Sequence, residues 1–429
     1  MIDHATSKPD VIIVGAGPAG CAAAAVLGEA GHSVLILERQ PFPRYRVGES
    51  LIPWCWYPLD RLGLVETLDD AAFTIHKHSV QFVGTDGGAT TPFYFNEHTD
   101  HDCARTWQVR RSDFDRMMVD NAISKGATVW DGANARELLR DGETVIGVRA
   151  ETEDGASVDL HAPLVIDASG RDLFSVSRQD WRVPDPQLKK IAIWSYFKGA
   201  ARDCGIDEGA TTVAYLPDKG WFWYIPLPDD VVSVGVVAER DYLYRGERDP
   251  DAIFAREIAA QPWIAEHVAS GEKLENCRVT GDYSYRSKHC ACDGLLLIGD
   301  AFAFLDPVFS SGVFLALYTG VRGGEAAAAA LAAGDRSAAR FDGYGTRVCK
   351  AIEAMRRLIY AFYDPDFSFG AFLKVNPSLR RDLTDLLIGN LDRDYDALFT
   401  AASASVAIPD PLPHGAPLVN EAATGDTSD

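Results

Sequence analysis

The sequence predicts an α/β fold with α+β elements: a doubly wound sheet assembled from non-contiguous segments, an inserted β-sheet, and a C-terminal helical region. Three observations predict it. Strand and helix patterns alternate at both ends of the 429 residues. Between Ile191 and Val237, Tyr, Trp, Val and Ile alternate as they do in strands, and residues 340–400 read as interrupted helices. The boundaries drawn from these patterns give a discontinuous first domain over 8–72, 105–175 and 280–340. A β-rich domain follows over 73–104 and 176–279, then a helical region over 341–405. The polar, proline-rich residues 406–429 read as a disordered tail.

The clearest element is the first. Val11–Val14 reads as a buried strand that runs into a glycine turn and an Ala-rich helix ending near Ala30. Gly31 then leads to a second strand over 33–37, which completes a βαβ unit. Gly15-Ala16-Gly17-Pro18-Ala19-Gly20 fits the dinucleotide fingerprint of a Rossmann-like domain. The first glycine permits the tight turn, the second lets a pyrophosphate approach the backbone, and the third lets helix pack on strand. Glu38 closes the second strand, where a carboxylate accepts hydrogen bonds from a ribose diol. Further on, an amphipathic helix is expected from about Ser112 to Gly126. A hairpin with an Asp-Gly turn should feed the buried strand before "DASGR", and "LLLIGDAFAF" reads as a late buried strand running into a loop. A long helix follows from the "SSGVFLALYTG" stretch.

Composition excludes several classes of function. A net charge of -21 argues against nucleic acid and anionic membranes as partners, since both need basic surface. Arg356, Arg357, Lys374, Arg380 and Arg381 are the local basic residues that would have to receive an acidic partner. The eight cysteines show no disulfide spacing. His289, Cys290 and Cys292 form one cluster without a second ligand pair, so no metal is expected. The N-terminal apolar run lacks a basic n-region and is broken by glycines, and acidic residues interrupt the other long apolar stretch. The expectation is a cytoplasmic protein without a membrane span.

Gly299-Asp300, "DASGR" and "WQVRRSDFD" together resemble the FAD motifs of the para-hydroxybenzoate hydroxylase-like superfamily. The resemblance implies FAD rather than NAD, with Asp300 on a ribityl hydroxyl and Arg111 toward the cofactor. A single fingerprint leaves NAD(P)H without an obvious site of its own. Within that superfamily the chain resembles the flavin-dependent halogenases. Trp221-Phe222-Trp223-Tyr224-Ile225-Pro226 matches their WxWxIP signature, and "FLDPVFSSG" matches a second motif through Phe304, Pro307, Ser310 and Gly312. "RVGES", with Arg46, Gly48, Glu49 and Ser50, matches a segment whose backbone lies against the flavin in that family. Lys77 stands about where the family keeps its catalytic lysine.

The resemblance implies a division of labour. Reduced FAD, supplied by a separate NAD(P)H-dependent flavin reductase, activates O2 and a chloride or bromide ion is oxidised to hypohalous acid. Lys77 receives the oxidised halogen, with Ser310 helping to position it, and burial among Phe73, Ile75 and Phe82 would keep its amine neutral. Ser311 and Gly312 open the long helix, whose N-terminal amides suit a halide, while Pro307 and Gly312 also face the cofactor. Trp221, Trp223, Ile225 and Pro226 would wall the flavin from the substrate, so that hypohalite rather than flavin-bound oxygen reaches the ring. Tryptophan halogenases resemble this segment but carry a glutamate where Phe309 stands. Phe309 and the aromatic stretch at 358–372 would therefore line an apolar pocket for a ring that directs its own halogenation. A phenol comes first and a pyrrole second, free or carrier-bound. The alternative is an FAD-dependent aromatic monooxygenase reduced directly by NAD(P)H, which needs neither Lys77 nor the wall. A prenyl reductase-like enzyme and a non-catalytic flavoprotein share the fold alone.

Overall fold

The computed structural model describes residues 8–217, 220–281, 284–364 and 367–419. A six-stranded sheet runs in the order Ala291–Cys292, Leu295–Leu297, Leu164–Asp167, Val11–Val14, Val34–Glu38 and Thr128–Asp131. All neighbours are parallel except the first pair. Val11–Val14, Val34–Glu38 and Leu164–Asp167 are buried at every position, as parallel strands covered on both faces must be.

Helix Pro18–Glu29 packs against helix Ser311–Ala332. Small residues set the spacing: a Cβ on Gly320 would sit 2.5 Å from the Ala19 carbonyl oxygen, and one on Gly324 would sit 3.0 Å from that of Ala23. Helix Arg111–Ser124 lies where the pattern places one. The Asp-Gly hairpin forms from Thr144–Glu151 and Ser157–His161, paired antiparallel.

A second sheet lies against the first domain. Its order is Glu272–Lys273, Lys190–Lys198, Val231–Glu239, Trp221–Leu227, Thr211–Tyr215, Ser79–Val83 and Phe93–Tyr94, with Arg278–Thr280 also pairing Lys190–Lys198. Strand Trp221–Leu227 is buried at every position, and its two faces serve different cores. Trp221, Trp223, Ile225 and Leu227 join the main core shared with the six-stranded sheet. Phe222 and Tyr224 join a smaller one with Val232, Val234, Ile253 and Phe254. This is the period of two of a β-strand. Room for Trp223 comes from its cross-strand partner Gly235, where a Cβ would lie 2.1 Å from the indole. Pro226 is tolerated because Thr211–Tyr215 pairs only with 221–224, leaving the strand unpaired on that side at 226.

Two expectations are corrected here. Residues 406–419 of the expected disordered tail are held down: Gly415 N–H donates to the Lys288 carbonyl at 2.9 Å, and Leu418 N–H donates to Ala291 at 2.8 Å. The tail thus satisfies the free edge of the six-stranded sheet. Residues 420–429 lie outside the described residues. Arg356, expected among the exposed basic residues, is buried, bridging Asp185 at 2.7 Å and Glu353 at 3.0 Å. Arg357 lies over the Phe399 ring. Lys374, Arg380 and Arg381 remain exposed.

Candidate active site

Between the two sheets lies a cavity of about 600 Å³. Its floor is the glycine turn. Gly15 has φ +105°, and a Cβ there would meet the Ala168 carbonyl oxygen at 2.4 Å. Gly17, by contrast, has nothing closer than an Arg44 nitrogen at 3.9 Å, so its backbone is open to a phosphate. Gly20 does not face the cavity. It lies under the turn, where a Cβ would be 2.0 Å from the Gly15 carbonyl oxygen. Ala19 is likewise a packing residue, facing Gly299 and Gly320.

Glu38 lines the cavity and is fixed by the Ala16 N–H at 3.0 Å and the Gln40 N–H at 2.9 Å. Arg44 also lines it, 3.4 Å from Glu38 and 3.5 Å from Asp115, and donates to the Ala16 carbonyl at 2.8 Å. Sequence reasoning chose Arg46, which does line the cavity, and passed over Arg44. The basic residue two positions earlier in "PRYR" was the available signal.

Arg111 also lines the cavity, held at 2.9 Å by Asp115, which it shares with Arg44, and donating to the Val47 carbonyl at 2.6 Å. Gly48, Glu49, Ser50, Asp300, Pro307, Ser310 and Gly312 also line the cavity, whereas the Ser311 side chain does not. Burial pushes the Asp300 carboxyl up to about 6, with Arg171 and Arg111 opposing the shift. An open glycine cradle, a carboxylate at the end of the second strand and Asp300 beyond it fit an adenine dinucleotide with a ribityl chain. These are the features of an FAD-holding flavoprotein.

The sequence matches the FAD binding domain family over residues 8–357. A relative from Pseudoalteromonas luteoviolacea, named 1H-pyrrole-2-carbonyl-(peptidyl-carrier protein) brominase, is 32% identical, over 89% of this chain and 91% of that one. The corresponding chlorinase of Pseudomonas fluorescens is 29% identical, over 91% and 90%. The solved flavin-dependent brominase Bmp2 superposes with TM-score 0.84 at 31% identity, over 93% of this chain and 98% of that one. The chain belongs to the flavin-dependent halogenases, oxidoreductases that use FAD, a halide and O2. The direct aromatic hydroxylase is therefore not favoured.

The remaining expected residues divide by position. Trp221, Trp223 and Ile225 line the cavity. Pro226 does not, because alternation turns it to the face shared by Phe222 and Tyr224. Phe309 also lies outside the cavity, edge-to-face with Phe362 at 5.6 Å and with Phe369 at 6.4 Å. Ser310 caps helix Ser311–Ala332 in the left-handed region at φ 53°, a strained conformation for a non-glycine residue. The Ser311 hydroxyl is buried with no hydrogen-bond partner among the described residues. Beside it, the helix's first N–H groups have no partner within the helix.

Lys77 is 1% exposed and lies one hydroxyl away from the cavity. Its Nζ donates to Ser50 Oγ at 2.8 Å and to the Leu51 carbonyl at 3.1 Å. Ser50 Oγ is 2.9 Å from Thr211 Oγ1, and both residues line the cavity. Gln108 donates to Thr211 at 2.8 Å. Burial pushes the amine down to about 7, and the Phe95 ring lies 5.7 Å from Nζ. Among the described residues no group of three His, Cys, Asp or Glu side chains is arranged to hold a metal, and no helix is long and apolar enough to cross a membrane.

Proposed function

We propose that the chain halogenates an electron-rich aromatic ring through hypohalous acid relayed to Lys77. The observation that carries this is the buried amine of Lys77, joined to the flavin cavity through the single hydroxyl of Ser50. FAD, when bound in its reduced form, supplies the activation of O2 that oxidises the halide. The chain's own residues do the rest. The N–H groups of Ser311 and Gly312, at a helix N-terminus whose Gly312 lines the cavity, offer the halide donors and positive potential. Lys77, near neutrality at about 7, has a lone pair free to hold the halogen. Trp221, Trp223 and Ile225 keep the cavity closed toward the far face of the strand. Phe309, with Phe362 and Phe369, forms the apolar lining offered to the ring.

The names of the relatives support a different substrate order from the phenol-first one read from the sequence. Two that match across nine-tenths of their length act on a pyrrole carried by a peptidyl carrier protein, so a carrier-bound pyrrole comes first and a phenol second. Lys374, Arg380 and Arg381 are the exposed cations left to meet an acidic carrier on a chain of net charge -21. A separate NAD(P)H-dependent flavin reductase supplies the reduced FAD. The test is mass spectrometry of pyrrolyl-carrier, free pyrrole and phenol incubated with bromide, FAD, NADH and such a reductase. A bromine isotope doublet on the carrier-bound ring is the expected result. A hydroxylated product, or no product with any of the three, would overturn the reading.

The wall has its own anchor. Trp221 Nε1–H donates to the Tyr363 hydroxyl at 2.8 Å, and that hydroxyl donates to Asp306 Oδ2 at 2.9 Å. Asp306 is fully buried, and burial raises its carboxyl to about 6. Tyr363→Phe removes both bonds while keeping the ring. The expected result is retained FAD binding with a lower yield of halogenated product and more hydrogen peroxide per NADH consumed. A peroxide assay run beside the product assay measures that partition.

A further inference from the structure

A second hydrogen-bonded chain, separate from the Lys77 cluster, leads from the protein surface to the cavity. Tyr45 is 36% exposed, and its hydroxyl accepts from Trp194 Nε1–H at 2.6 Å. The Tyr45 and Tyr196 hydroxyls are 2.8 Å apart, and Tyr196 donates to Glu49 Oε1 at 2.6 Å. Because the single proton of Tyr196 is committed to Glu49, Tyr45 must be the donor to Tyr196. Every donor therefore points the same way, inward, and the chain ends on a carboxyl that lines the cavity.

Glu49 is 3% exposed. The Gly48 N–H donates to its second oxygen at 3.3 Å, Arg111 is the charge that acts on the carboxyl, and Arg278 stacks on the Tyr45 ring at 3.7 Å beside the two tyrosines. Burial raises the Glu49 carboxyl against the pull of Tyr196 and Arg111.

We infer that Tyr45, Tyr196 and Glu49 form a proton path from solvent into the flavin cavity, with Glu49 as the terminal donor. The inference rests on the halogenation reading, because that reaction needs a proton. Reduced FAD, O2, halide and a proton give FAD, hypohalous acid and water: FADH2 + O2 + X⁻ + H⁺ → FAD + HOX + H2O. Oxidation of the same reduced flavin to hydrogen peroxide takes up none. Glu49 gives its proton to the reaction and takes one from the Tyr196 hydroxyl. Tyr196 takes one from Tyr45, and Tyr45 takes one from water. No bond between heavy atoms changes, and no group is oxidised or reduced in the transfer itself.

The experiment follows proton uptake with a pH-indicator dye during a single turnover of the FAD-loaded enzyme, with and without bromide. Wild type, Tyr45→Phe and Tyr196→Phe are compared. In parallel, the hydrogen–deuterium exchange of the Glu49 carboxyl is followed by infrared spectroscopy on the FAD-free chain, its band assigned with Glu49→Gln. Expected is a bromide-dependent uptake that both variants slow by roughly tenfold or more, the scale of losing a positioned proton donor. A small weak acid added to the buffer should restore part of the rate, FAD affinity should stay close to that of wild type, and carboxyl exchange should slow. Tyr45→Phe, at the surface, keeps the test open should Tyr196→Phe fold poorly. Unchanged uptake and exchange in both variants, or a rate that falls only in step with FAD affinity, would overturn the path and reduce the chain to a brace for the Gly48–Ser50 segment. Absence of bromide-dependent uptake in wild type would count against the halogenation reading instead, and the exchange measurement would still decide the path.

Discussion

Lys77→Ala is expected to retain FAD and to lose halogenated product by roughly 10²- to 10⁴-fold, the range seen when a positioned catalytic side chain is removed. FAD is expected to stay because Lys77 does not line the cavity and touches it only through Ser50. Product is expected to vanish because, among the described residues, no other amine is bonded to the Ser50–Thr211–Gln108 cluster. Lys77→Arg should be equally inactive, since a guanidinium cannot deprotonate near neutral pH. With the native lysine, product formation should rise as pH passes upward through about 7, where the buried amine becomes neutral. The same shift has a sign in stability. The unfolded amine holds its proton to about 10.5 and the folded one releases it near 7, so the unfolded chain binds more protons between those values. Stability should therefore climb from pH 7 toward 10.5, and Lys77→Met should flatten that slope in thermal melts. A mutant that still yields brominated product at the wild-type rate would remove the lysine from the reaction.

Gly20→Ala is expected to have the second large effect, on FAD itself. A Cβ there would lie 2.0 Å from the Gly15 carbonyl oxygen and 3.2 Å from the Ala168 side chain. Both contacts lie within the scaffold that shapes the glycine turn, so helix Pro18–Glu29 would have to move off its strand and carry the turn with it. Overpacking of this kind costs ~1–3 kcal/mol, which corresponds to roughly 5- to 150-fold in FAD affinity if the displacement falls on the turn. Flavin absorbance per protein after gel filtration and a thermal melt would measure the two components. Full flavin content at an unchanged melting temperature would mean that the turn tolerates the extra carbon.

The FAD half of the site was legible because its constraints are local. A left-handed glycine, an open glycine and a packing glycine fall within six residues, directly after one strand and ahead of a helix, a second strand and its terminal acid. What escaped depends on distant partners. Arg356 reads as a surface cation until Asp185, 171 positions earlier, is brought against it. The tail reads as disordered until it is seen to satisfy the edge at Ala291. Pro226 was assigned to the wall by its place in a signature, whereas the alternation of the strand puts it on the other face. The cluster around Lys77 joins residues 50, 77, 108 and 211, and no spacing in the chain announces that meeting.

Strand Trp221–Leu227 divides its residues between two cores, and this makes its two faces separately adjustable in evolution. Changes at 222 or 224 are absorbed by Val232, Val234, Ile253 and Phe254, and they should register as altered expression or heat tolerance. Changes at 221, 223 or 225 alter the chamber where the oxidant forms as well as the main core, and they should register as altered yield or selectivity in addition to any loss of heat tolerance. A library at 221, 223 and 225 confined to bulky apolar side chains, with the even positions held fixed, would thus search reactivity while keeping the volume the main core needs.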